Sequence, residues 1–262
     1  TYRLNGSKLW ITNGLHADTV IVYAKTGGPD SKKLTAFIVE KGMEGFSTGK
    51  KINKWGMRGS DTTELFFDDC IIPKENILGK FNEGTKVLMK GLNYERLILS
   101  AGALGLAQYV LDTTIAYAAQ RHQKKKPLIT NQAYAHKIAK MKINLDTATR
   151  STYLIAYQAD HEGSLSNEDG AAALYAASDV ADDITGQCVT ALGGNGYTKD
   201  YSVGQAWTDA KLYEIGAGAK DIRLDVVANQ ISKSYREYSK ALEEVTSTPE
   251  FQEKFQKRMD LN

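Results

Sequence analysis

Glu64-Leu65-Phe66-Phe67-Asp68-Asp69-Cys70-Ile71-Ile72-Pro73 is the hinge of this 262-residue sequence, because the spacing of apolar residues changes on its two sides. Upstream lie Leu9-Trp10-Ile11, Thr19-Val20-Ile21-Val22-Tyr23-Ala24 and Leu34-Thr35-Ala36-Phe37-Ile38-Val39, short runs rich in β-branched and aromatic residues. Asn5-Gly6, Asn13-Gly14, Gly27-Gly28-Pro29-Asp30 and Gly59-Ser60-Asp61 separate the runs and favour turns. Short strands with such connections predict an antiparallel β-sandwich or barrel. Downstream, Val87, Leu88, Leu92, Leu97, Leu104, Val110, Leu111 and Ile115 recur at helical spacing and mark a long helix that stops near Lys124-Lys125-Lys126-Pro127. Further helices are expected over 133–160, 167–192 and 219–242, the second of these capped by Asn167 with Glu168 and Asp169 in its first turn. Antiparallel helices on short loops make a four-helix bundle. The expected class is therefore α+β, with a β domain over 1–75, incomplete at its start, a helical domain over 76–231 and a helical extension over 232–262. In that extension Thr248-Pro249-Glu250 opens a helix whose Phe251 and Phe255 share a face, as in a solvated terminal helix.

Composition narrows the function classes. With 42% hydrophobic residues the chain can bury a sizeable core. Its 33 basic and 31 acidic residues give a formal charge of +2, too small a field to argue for a nucleic acid or an anionic membrane. The basic run at Lys124–Lys126 lacks the interleaved aromatics of a nucleic-acid site. Cys70 and Cys188 stand far apart and the four histidines, His16, His122, His136 and His161, are scattered, so neither a disulfide framework nor a metal site is expected and a reducing compartment fits. No apolar run is read as crossing a bilayer. The chain begins at Thr1-Tyr2-Arg3-Leu4-Asn5-Gly6 in mid-pattern, without a visible targeting segment.

Taken singly, the candidate functional residues have plain readings. Glu95 in Asn93-Tyr94-Glu95-Arg96-Leu97 resembles a solvated helix pair, Trp10 a core aromatic, and Gly193-Gly194 a helix stop. Taken in order they carry more. Trp10-Ile11-Thr12-Asn13-Gly14, Ala36–Gly42, Gly45-Phe46-Ser47-Thr48, Gly56-Met57-Arg58-Gly59-Ser60, Ile72-Pro73, Asn76-Ile77-Leu78-Gly79, Asn93–Leu97, Gly193-Gly194-Asn195-Gly196-Tyr197 and Asp209–Gly218 follow one another as in the acyl-CoA dehydrogenases. The resemblance runs from about Tyr2 to Val227 and is closest to the isovaleryl-CoA dehydrogenase branch.

That resemblance implies FAD bound at the junction of a β domain and a four-helix domain, assembly as a dimer or tetramer, and an amino-terminal helical domain not contained in these residues. The implied reaction removes the α-proton of a short branched acyl-CoA while the β-hydride passes to the flavin. Glu95 is the implied base, since Ala217 stands where most of the family carries its glutamate; Arg96, Gly216 and Ala217 lie on the substrate side. Trp10 and Thr12 are placed beside the flavin ring, Arg121 and Gln132 at its phosphates and polar contacts, the former across the dimer, and Gly193 and Gly194 where backbone approaches the cofactor. Electron-transfer flavoprotein is an implied partner, and the mitochondrial matrix the implied location.

Several positions depart from the pattern. Lys124 and Lys125 replace a Phe-Gly pair, Thr190 a Gln, Ala219 a Thr and Lys220 a small residue. At about 1 kcal/mol for each lost contact, three or four such changes would weaken flavin binding by about two or three orders of magnitude. A second reading therefore stands beside the enzyme: a degenerate homologue kept as a structural or assembly subunit of a larger complex.

Overall fold

The computed structural model describes residues 1–27 and 31–259. Its first part holds two three-stranded antiparallel sheets. One is ordered β1 (Tyr2–Thr12), β5 (Thr62–Ile72), β4 (Phe46–Thr48); the other is β2 (Thr19–Lys25), β3 (Leu34–Glu40), β6 (Ile77–Leu78). Val22, Phe37 and Val39 of the second sheet meet Leu65, Phe67, Cys70 and Ile72 of the first in a common core. Of the turn expected at Gly27–Asp30, Gly27 has φ of 99° and the other three residues lie outside the described residues.

β5 shows why the hinge stretch could be read as strand although its alternation breaks. Leu65 and Phe67 point inward, then Cys70 and Ile72 do, a slip of one residue. The slip is a bulge: Asp68 and Asp69 together oppose Asn5, Asp69 takes φ of 49°, and the Asn5 side chain bonds both the Asp69 carboxylate (2.9 Å) and its N–H (2.7 Å). The extra residue restores the inward phase for the end of the strand.

The helices are α1 (Gly84–Gln120), α2 (Gln132–Glu162), α3 (Asn167–Leu192), α4 (Val203–Ile215), α5 (Lys220–Thr246) and α6 (Pro249–Met259). Between α1 and α2 a small hairpin pairs β7 (His122–Gln123) with β8 (Lys126–Pro127). Val110, Leu111, Met141, Leu145, Ile184, Cys188, Val203 and Ala210 form the second core, so α1 to α4 share it. The sequence expectation had no helix over 203–215 and gave the fourth place to 219–242. Instead α5 buries a single side chain, Arg223, and runs unbroken past residue 232. α1 is long and apolar enough to cross a membrane, contrary to the sequence reading, yet it supplies Ala103, Leu104, Ala107, Val110 and Leu111 to this core.

The two parts are joined at a tight backbone contact. Gly56 lies against α4 so closely that a Cβ there would sit 2.3 Å from the Thr208 carbonyl oxygen, and the neighbouring Met57 N–H donates to Asp209 Oδ1. Gly56→Ala should therefore force the sheets off α4 and lower stability by about 1–3 kcal/mol. Urea unfolding, followed by the fluorescence of the adjacent Trp207, checks this.

Candidate active site

Glu95 and Arg96 are neighbours on α1 with opposite fates. Glu95 is exposed and makes no hydrogen bond or salt bridge among the described residues. Its charge reaches the seam with β2, where burial first and Glu95 second push the Tyr23 phenol above its ordinary pKa. Arg96, about a hundred degrees further round the helix, turns inward and is 2% exposed. Its Nε donates to Ala217 O (3.0 Å) and its Nη1 to Asn167 Oδ1 (2.9 Å). Asn167 is the first residue of α3, whose start is fixed by Ser166 Oγ accepting the Asp169 N–H. Thus the turn of α1 that carries Glu95 is tied to the α4–α5 connection, Gly216–Ala219.

That connection is short and bent. Gly216 closes α4, its N–H donating to Leu212 O, and Ala217 then takes φ of 54° before Gly218 at 92°. A side chain on Gly218 would be strained and would crowd Arg96 Nη2, so glycine is required there. Glu214, the nearest acid in sequence, is not available as a base. Burial alone would raise its pKa, but hydrogen bonds from Lys211 and Lys220 outweigh burial and hold it below the ordinary carboxyl value. Lys220 also bonds Asp179 of α3, so this departure from the expected small residue ties three helices together.

The residues expected at the flavin fall into two groups. In β1 a bulge sets Leu9 and Trp10 against Glu64 alone; Trp10 adopts φ of 64° and its indole stands 65% exposed, with Thr12 exposed beyond it. Arg121, Gln132, Gly193 and Gly194 lie together at the other end of the helices, where Tyr134 OH reaches Ala191 O and Asn195 reaches Tyr117 OH. Arg121 ends α1, and by the helical rise it is about 39 Å along the axis from Glu95. Within one chain the second group therefore lies far from Glu95. Beside Arg121 the β7–β8 turn is made by Lys124 and Lys125, both left-handed at φ of 48° and 65°, where a two-residue hairpin favours Asn-Gly. Gln123, Lys124, Lys126, Leu128 and Thr130 line a concavity of about 340 Å³ there. The Thr190 hydroxyl bonds its own helix, at Gly186 O.

Arg223 was not singled out in the sequence. It is fully buried and holds the same connection from the other side, through Gly218 O (2.9 Å) and Tyr213 O (2.6 Å). The sole available signal was an arginine four residues after Ala219, at a helix start where a solvated side chain is the ordinary reading.

Residues 1–70 match the middle domain of acyl-CoA dehydrogenase and residues 82–232 its C-terminal domain. The mitochondrial isovaleryl-CoA dehydrogenase of Arabidopsis thaliana is 46% identical over 233 residues, covering 88% of this chain and 57% of that protein. The mitochondrial 2-methylacyl-CoA dehydrogenase of Solanum tuberosum is 44% identical over the same length, covering 88% and 56%. Among solved structures, butyryl-CoA dehydrogenase from Megasphaera elsdenii superposes with a TM-score of 0.84 at 39% identity, over 88% of this chain and 60% of that one. The chain thus spans little more than half the length of such relatives. It belongs to the acyl-CoA dehydrogenase family.

Proposed function

We propose that this chain carries out FAD-dependent α,β-dehydrogenation of a short branched acyl-CoA, on a framework read as an antiparallel β-sandwich followed by a four-helix bundle and an extension from residue 232. The observation that carries the reading is the Arg96–Ala217 bond. It sets the only unpartnered acid of the Asn93–Leu97 segment on the same turn of α1 as the anchor of the loop whose Ala217 replaces the usual base. Relatives acting on isovaleryl-CoA and on 2-methylacyl-CoA are almost equally similar, which supports a branched short acyl group.

The residues present fit a flavin. Trp10 offers a free indole face on a rigid bulge, Thr12 a hydroxyl beside it, and Gly193 and Gly194 have open space where side chains would stand. Arg121, Gln132, Gly193 and Gly194 lie together far from Glu95, at the other end of α1, so they serve the site of a second copy, and the working form is a dimer or tetramer. FAD, when bound, supplies the acceptor for the β-hydride.

The chain's own groups do the rest. Glu95, exposed and without a hydrogen bond or ion pair among the described residues, takes the α-proton, a task for which Glu214 is tied up by Lys211 and Lys220. Gly216, whose own N–H is held by Leu212 O, and Ala217 set the course of the loop beside the thioester, and free N–H groups of that loop face its carbonyl oxygen, which gains charge as the proton leaves. Arg96 acts through that loop, its guanidinium being wholly engaged with protein. Electron-transfer flavoprotein is the proposed oxidant of the reduced enzyme and the mitochondrial matrix the proposed location.

An absorbance spectrum tests the reading. The purified chain should be yellow, or become so with added FAD, and bleach on addition of isovaleryl-CoA. A protein that stays colourless with excess FAD overturns it and leaves the structural-subunit role.

A further inference from the structure

The loop between α4 and α5 is gripped by two buried cations, Arg96 and Arg223, whose hydrogen bonds all go to neutral acceptors. Arg223 directs Nε to Gly218 O, Nη2 to Tyr213 O, and Nη1 to both Leu174 O (3.1 Å) and Ser178 Oγ (3.0 Å). Arg96 directs Nε to Ala217 O. Neither forms a salt bridge among the described residues, both are buried, and each lies within the other's field: burial first, then Arg96, pulls the Arg223 pKa down. Burying two like charges on neutral acceptors is an expensive way to hold a helix connection, and an apolar pair would serve stability better. Their arrangement has a specific effect on the backbone. A trans peptide points its N–H opposite its C=O. With Ala217 O held by Arg96 and Gly218 O by Arg223, the N–H groups of Gly218 and Ala219 point away from the guanidiniums. Among the described residues neither N–H meets a protein acceptor. Ala217, in a left-handed conformation unfavourable to a side chain, stays there because both neighbouring carbonyls are fixed.

We propose that Arg223 is a positioning residue of the dehydrogenation site: with Arg96 it locks the Ala217–Gly218 turn so that the loop offers peptide N–H groups, and not carbonyls, to the acyl thioester. The proposal rests on the dehydrogenase reading above. Lys211 and Lys220, with Glu214 and Asp179, brace the loop from the outer side, so the turn is fixed between two buried guanidiniums and a surface ion cluster. Losing Arg223 frees the Gly218 peptide to rotate, which removes hydrogen-bond donors from the thioester oxygen without touching Glu95.

The test compares the full chain with Arg223→Lys and Arg223→Met, using isovaleryl-CoA labelled with carbon-13 at the thioester carbonyl. In the unaltered protein the infrared carbonyl stretch of bound ligand should move to lower frequency. Both variants should still bind the thioester, lose that shift, and show kcat lowered on the order of 100-fold, the effect of a small misplacement, while KM moves little. Lys supplies charge but not a fork of donors, so it should restore melting temperature more than kcat. Should Arg223→Met fail to fold, Arg223→Lys carries the comparison. A normal carbonyl shift and kcat in either folded variant, or an unshifted carbonyl in the unaltered protein, overturns the positioning role alone. Failure of the unaltered protein to bind the thioester at all refutes the dehydrogenase reading, and this proposal with it.

Discussion

Glu95→Gln should leave flavin content and melting temperature unchanged and slow bleaching by isovaleryl-CoA by about 1000-fold, the middle of the range for loss of a general base. The size follows from the isolation of this side chain. Gln has the same shape, and Glu95 is exposed with no hydrogen bond or ion pair to lose among the described residues, so the folded state has little reason to notice the change. The deprotonation step has every reason to, because an amide cannot accept the α-proton. A second readout does not depend on flavin. Since the Glu95 charge, after burial, raises the Tyr23 phenol, its removal should bring the Tyr23 titration midpoint down in a spectrophotometric scan. A rate that survives the substitution would remove Glu95 as base; an unmoved Tyr23 midpoint would remove it from the seam between β2 and α1.

Much of the fold was legible because the two signals that specify it are local. The alternation and turn clusters of the β region, and the apolar spacing of 84–120, 132–162 and 167–192, report the neighbours of each residue in its own element. What escaped depends on a partner. The bulges at Trp10 and Asp69 exist because β1 and β5 differ by one residue in count across each pairing, which neither strand alone reveals. α4 escaped because the residues it buries fully are small, Val203, Ala206 and Ala210, with Tyr213 half-buried beside them. Two alanines and a valine give no apolar stripe, and the segment fits because it packs closely against α3 and Gly56.

The candidate site could be named as residues from the sequence, but its geometry could not. Glu95 and Arg96 read as a solvated pair from their spacing, and whether a helix arginine points out or in is decided by the surface it meets. For Arg96 that surface is the α4–α5 connection and the start of α3, separated from it in sequence by 121 and 71 residues. Arg223 is the same case. Lys220, read as a change at a cofactor contact, also anchors Asp179 and Glu214, which the sequence did not show.

Arg96→Met should destabilise the protein by about 2 kcal/mol, and the sign is the informative part. Two opposing effects must be weighed. The substitution leaves Ala217 O and Asn167 Oδ1 without their donors, at a cost of about 1–3 kcal/mol for each buried group. Against this, it removes a buried cation that burial already pulls toward neutrality, and relieves its repulsion with Arg223, a gain comparable to replacing a buried ion by an apolar residue. Two orphaned acceptors outweigh one relieved charge if the loop keeps its left-handed turn, and the midpoint of urea unfolding then falls with an unchanged slope. If the turn relaxes and Ala217 swings its carbonyl to water, stability is recovered and the variant melts no lower than the parent. Glu95 remains in place in both cases, yet bleaching by isovaleryl-CoA should collapse where the turn relaxes, because the thioester oxygen then loses its fixed donors. A variant with unchanged or raised stability and full bleaching would show that the guanidinium neither holds the loop nor serves the chemistry.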